Sequence, residues 1–97
     1  MKNCCKIKTY IGFAKKSRNV IYGVDDIIKL IKKCDLILAA GNLAESSFSK
    51  LSITAQKNNK QVYVISEQDF EDCFDSKFIK AAAITDKNLS DAIKNGL

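Results

Sequence analysis

The sequence predicts an α/β protein: one domain over residues 1–97, built as an α/β/α sandwich. Three observations carry this. Segments with helical apolar spacing alternate with short β-branched runs. One run, "DLILAA" at residues 35–40, is apolar throughout, as expected of a strand covered on both faces. No repeat, linker or low-complexity tract divides the 97 residues, a length that suits one domain.

The elements follow in order. In "CKIKTYIGFAKK", Ile7, Tyr10, Ile11 and Ala14 recur at helical spacing, which predicts an amphipathic helix. "NVIY" at 19–22 reads as a short strand. Over 24–33, Val24, Ile27, Ile28 and Ile31 form one apolar stripe, while Asp25, Asp26, Lys29, Lys32 and Lys33 share the opposite face. "DLILAA" is the next strand, and "GN" at 41–42 turns the chain. Residues 44–58 place Ala44, Phe48, Leu51 and Ala55 on a helical stripe, with Ser46 and Ser47 in its first turn. "NNK" closes that helix, and "QVYVI" at 61–65 is a strand. Phe70, Cys73 and Phe74 predict a short helix with a core thiol at Cys73. "IKAAAIT" is the last strand. Asp86 caps a final helix carrying Leu89, Ala92 and Ile93, with Gly96 just beyond it.

Composition narrows the function classes. Hydrophobic residues make up 46% and charged residues 28%, a globular balance. No apolar run approaches the roughly 18 residues of a membrane helix, and "MKNCCKIK" has no apolar core of a secretion signal. A cytoplasmic protein is expected. The four cysteines, Cys4, Cys5, Cys34 and Cys73, contain no CxxC pair, and two are sequence neighbours, which suits a tetrahedral metal site poorly. They read as free thiols in a reducing compartment. The chain has no histidine for general base work near neutral pH. Its four glycines are too scattered for a phosphate-cradling loop. The expectation is a non-enzyme with no cofactor and no metal.

Charge points to recognition. The net charge is +5, and residues 1–33 hold nine basic residues against Asp25 and Asp26. Residues 66–76 hold five acids and no base. A basic first third suits a polyanion partner, and a solvated lysine-rich surface is the plain alternative. The candidate site is the helix start "GVDDIIK" with the upstream bases Lys15, Lys16 and Arg18 and the "AAGN" turn. If the strands at 20–22 and 36–40 are neighbours, these pieces share one edge of the sandwich. Carboxylates at Asp25 and Asp26 would accept hydrogen bonds from base amino or imino groups, and the cations would take phosphates. The structural alternative is that both aspartates complement the helix dipole and pair with Lys29. On spacing alone the structural alternative is favoured.

These residues also resemble a known family. "IGFAKKSRNVIYGVDDIIKLIK" is similar to the opening of the bacterial YlxQ-like proteins, members of the ribosomal-protein superfamily that binds kink-turn RNA and is named for the archaeal "L-seven-Ae" protein. "LILAAGN" resembles the family strand that ends in Ala-Glu-Asp or Ser-Glu-Asp, and "AAAITDKNLSDAI" its closing strand and terminal helix. The resemblance runs from about Tyr10 to Ile93, and its ordered set of motifs carries it. It implies a mixed four-stranded sheet within the three-layer sandwich, and binding of kink-turn or ribosomal RNA. Ribosomal proteins would be further partners.

Carried over by position, Gly23 and Lys29 match the family pattern. Asp25 and Asp26 stand where Asn and Glu are usual, and Gly41-Asn42 where Glu-Asp is usual. Phe70-Glu71, Asp72 and Asp75 stand at positions the family places in the loop before its last strand. The expected RNA-binding set is Lys16, Arg18, Gly23, Asp25, Asp26, Lys29, Lys32, Gly41 and Asn42, and it requires the cations to converge on one face with Gly41. The alternative function is a protein-interaction module on the same fold without specific RNA binding, motivated by the acidic 67–75 segment.

Overall fold

The computed structural model describes residues 4–75 and 78–97, with side chains from Ile7 onward. Five α-helices and four strands alternate along the chain: α1 (Cys4–Lys16), β1 (Val20–Tyr22), α2 (Val24–Lys29), β2 (Leu36–Ala40), α3 (Glu45–Lys57), β3 (Val62–Ile65), α4 (Glu67–Phe74), β4 (Ala81–Ile84) and α5 (Lys87–Lys94). Cys4 and Cys5 open α1, but their side chains fall outside the described part.

The sheet is mixed, in the order β1-β4-β2-β3. β4 runs antiparallel to both neighbours, with Ile21 opposite Ala83 and Ile37 opposite Ala83 on its other side. β2 and β3 are parallel. The strands at 20–22 and 36–40 are not neighbours, because β4 lies between them. Both point the same way because each is antiparallel to β4, so their ends still reach one edge.

Alternation along the strands builds two cores. Leu36, Leu38 and Ala40 of β2 join Ala82 and Ile84 of β4 under α1, α4 and α5, where Ile7, Ile11, Phe70, Phe74 and Ile93 are buried. Ile37 of β2 and Ala81 and Ala83 of β4 face α2 and α3, against Ile27, Leu51 and Ala55. Every residue of β2 and β4 is buried, which explains why both read as unbroken apolar runs. Cys34 and Cys73 lie in different cores, so the sheet separates the two thiols. Cys73 is the core thiol that its spacing with the aromatics predicts.

The predicted helix over 24–33 divides. α2 ends at Lys29, Leu30 leaves the α region at φ −112° and ψ 26°, and Ile31–Lys33 form a 3₁₀ turn. The tighter turn keeps Ile31 in the core and hands the chain to Asp35, whose N–H donates to the Ile84 carbonyl at 2.9 Å. Residues 70–74 belong to α4 and not to the loop before β4, with Phe70 fully buried; the carboxylates at Glu71 and Asp72 therefore hang from a helix. Ser66 caps α4 by accepting from the Asp69 N–H, and Asp86 caps α5 by accepting from the Leu89 N–H at 2.9 Å. Among the described residues no helix is long and apolar enough to cross a membrane.

Candidate nucleic-acid interface

Strand direction decides what meets at each end of the sheet. β1, β2 and β3 finish at the end where β4 begins. Four connections therefore cluster there: Gly23 leading into α2, Gly41-Asn42 leading toward α3, Ser66 leading into α4, and the approach to β4. Backbone bonds tie them. The Gly23 N–H donates to the Ala81 carbonyl at 3.0 Å, and the Ala40 N–H to the Lys80 carbonyl at 2.8 Å. Gly23 sits at φ 89° and ψ 144°, backbone space that is essentially reserved to glycine. That geometry lets the chain leave β1, bond β4 and start α2 within one residue.

α2 and α3 start side by side and leave a groove of about 520 Å³ between them, lined by Gly23, Asp25, Asp26, Ser46, Ser47 and Lys50. The Lys50 Nζ donates to the Asp25 Oδ1 at 3.2 Å. The expected pairing of Asp25 with Lys29 does not form; the neighbouring helix supplies the cation instead. Asp26 is exposed and has no ion pair among the described residues, and the same holds for Lys29. The groove thus offers a carboxylate acceptor at Asp26, hydroxyls at Ser46 and Ser47, and an ammonium at Lys50. Such a set can hydrogen-bond a flat polar edge. A second, more apolar hollow of about 340 Å³ lies beside Gly41, between Leu43, Phe48 and Val64.

The expected residues divide between the two ends of the molecule. Gly23, Asp25, Asp26, Gly41 and Asn42 come together at the end just described. Lys29 lies one turn along α2 from Asp25. Lys16 and Arg18 precede β1 and Lys32 precedes β2, so all three lie at the opposite end of the sheet. The five residues of β2 separate the ends by about 16 Å. The cations therefore do not converge on Gly41, because each lies on the far side of a strand from it. Ser46, Ser47 and Lys50 complete the groove, although the sequence marks the two serines only as first-turn helix residues and does not single out Lys50. Their signal is tertiary: Asp25 and Lys50 are 25 positions apart.

The acidic segment is partly neutralised within the chain. The Lys15 Nζ donates to the Asp75 Oδ2 at 3.1 Å and to the Cys73 carbonyl at 3.2 Å. That hydrogen bond, and then the Lys15 charge itself, holds the Asp75 carboxyl below its ordinary value. Glu67 and Asp69 occupy the first turn of α4, where carboxylates suit the helix dipole.

No protein-family model matches the chain, and no curated protein matches it. Among solved structures it is similar to a protein of unknown function from Bacillus halodurans, with a TM-score of 0.83 at 15% identity over 93% of this chain and 94% of that one. At that identity the likeness shows the fold alone.

Proposed function

We propose that this protein binds structured RNA, of the kink-turn type that the family resemblance implies, in the cytoplasm and in association with ribosomal components. The observation that carries the reading is the meeting of the "GVDD" helix start, the "AAGN" turn and the approach to β4 at one end of the sheet, although three other connections separate them in sequence. In this reading Asp26 accepts hydrogen bonds from base edges, and Ser46 and Ser47 donate or accept beside it. Gly23 brings the backbone close, Lys29 and Lys50 meet phosphates, and the Gly41-Asn42 turn meets the RNA beside the groove, at the same end of the sheet.

A second reading rests on a different observation. Among the described residues, the helices that start at this end carry the exposed carboxylates Asp26, Glu45, Glu67 and Asp72, and an acidic surface suits a basic protein partner.

Titration of wild type, Asp26→Ala and Lys29→Ala against a kink-turn RNA and a straight duplex tests the first reading. The diagnostic quantity is the ratio of the two affinities. A preference for the kinked RNA that falls in both variants supports it. A ratio of one in wild type sinks it, and tight binding of a lysine-rich peptide with that ratio establishes the second reading.

A further inference from the structure

The end of the sheet opposite the groove is built from four turns in sheet order. They are Ser17–Asn19 before β1, Thr85–Asp86 after β4, Cys34–Asp35 before β2, and Asn58–Gln61 before β3. The Thr85 N–H donates to the Asn19 carbonyl at 2.9 Å, and the Asp35 N–H to the Ile84 carbonyl at 2.9 Å. Lys60 stands near enough to Cys34 for its charge to act on the thiol. The four turns are thus one continuous surface.

That surface is strongly basic. Lys16 precedes the first turn and Arg18 lies within it, Lys87 follows the second, Lys32 and Lys33 precede the third, and Lys57 precedes the fourth, which contains Lys60. Six of the seven are exposed and Lys60 is half-buried. None forms an ion pair among the described residues. The acids at this end are Asp35 and Asp86, and the Asp86 carboxylate is occupied by the Leu89 N–H. The cations crowd here because α1, the 3₁₀ turn and α3 all finish at this end, and each carries its lysines in its last turn. The starts of α2, α3 and α4, with Asp25, Asp26, Glu45 and Glu67, lie at the other end, whereas α5 starts here with Asp86 as its cap.

We infer that this basic end is a second RNA-contacting surface, one that grips the phosphate backbone of a duplex without reading sequence. Three adjacent strand spacings make it about 15 Å wide, a length that faces about four phosphates on one strand of a duplex. Its cations are interleaved with Asn19, Asn58, Asn59 and Thr85, uncharged groups that can donate to phosphate and sugar oxygens; Asn19 and Asn58 each use one amide N–H within the chain and keep the second, whereas the Ser17 hydroxyl is spent on the Phe13 carbonyl. No large exposed apolar side chain lies in any of the four turns. A protein interface wants such anchors at its centre, and a membrane-adsorbed surface wants an apolar face. A polyanion with no apolar demand is the partner that fits. The identity of that polyanion as RNA rests on the function proposed above.

The experiment compares wild type with a Lys32→Gln, Lys33→Gln, Lys57→Gln, Lys60→Gln variant on a straight RNA duplex of about 20 base pairs, between about 50 and 200 mM salt. Glutamine keeps the aliphatic stems, and thermal unfolding confirms that the variant folds. The variant is expected to bind at least about tenfold more weakly, with the slope of log affinity against log salt reduced by about 3.5. Each single Lys→Gln change is expected to lower the slope by just under one, which covers the case of a misfolded quadruple variant. Unchanged affinity and slope overturn the inference. So does displacement of the duplex by polyglutamate as effectively as by unlabelled RNA, which would assign the surface to an acidic protein. Because the probe is a straight duplex, the result is independent of any kinked-to-straight preference. Loss of that preference condemns the groove reading and leaves this surface standing.

Discussion

Tyr22 and Phe74 meet edge to face, with ring centroids 6.2 Å apart and planes at 89°. Tyr22 ends β1 at one edge of the sheet, whereas α4 departs from β3 at the other edge. α4 therefore crosses the sheet, and its eight residues span about 12 Å, close to the width it must cover. Phe70 packs against Phe74 behind that contact, with ring centroids 4.6 Å apart and planes tilted by 37°. A double-mutant cycle on Tyr22→Ala and Phe74→Ala should give a coupling of about 0.5–1.5 kcal/mol in urea unfolding. Additive effects would mean that the two edges are not clasped by this pair.

Two glycines should respond in opposite directions to alanine. Gly23 has positive φ, and the space an alanine methyl would enter there is open, so the cost is purely conformational, about 1–3 kcal/mol of lost stability. Gly12 lies within α1, also beside open space, and Gly12→Ala should add about 0.4–1 kcal/mol. Equilibrium denaturation of the two single variants reads both signs at once.

The Lys15–Asp75 contact should be visible in acid. Asp75 is depressed when folded, so its contribution is present above the unfolded carboxylate value and is lost as pH falls through the folded one. An NMR titration should place the Asp75 midpoint below that of an ordinary aspartate. Lys15→Gln should return it toward the ordinary value, and an unmoved midpoint would remove Lys15 as the cause.

Cys34 should be inert in the native protein. Burial pushes its thiol up to about 11, with Lys60 opposing and Asp35 adding to the shift. Native-state alkylation followed by peptide mass mapping should leave Cys34 unmodified near neutral pH, with labelling only after denaturant is added. Fast native labelling would show that the core around Ile27 and Leu51 opens readily.

Much of the sandwich was legible because its signals are local. The stripe Ile7, Ile11, Ala14 is buried as its spacing requires, and Asp86 caps the helix it was expected to cap. What stayed hidden depends on pairing across the chain. Apolar spacing cannot tell an α-turn from the 3₁₀ turn at Ile31–Lys33, since one turn of either buries Ile31. Nothing around Asp25 announces Lys50, and nothing in "NVIY" announces that β4 will part β1 from β2. The division of the basic residues between two ends follows from that topology, and a charge count along the sequence averages it away.

The position of β4 has a consequence for synthesis. β1 hydrogen-bonds to β4 alone, and some sixty residues separate Tyr22 from Ala81. On a ribosome, β1 and the Gly23 junction emerge before β4 and wait for it while about sixty further residues are made. The helix start at Gly23 is thus anchored by a segment made well after it. Assembly must close a long loop before its central pairings pay back, which favours slow, all-or-none folding over stepwise growth from the N-terminus.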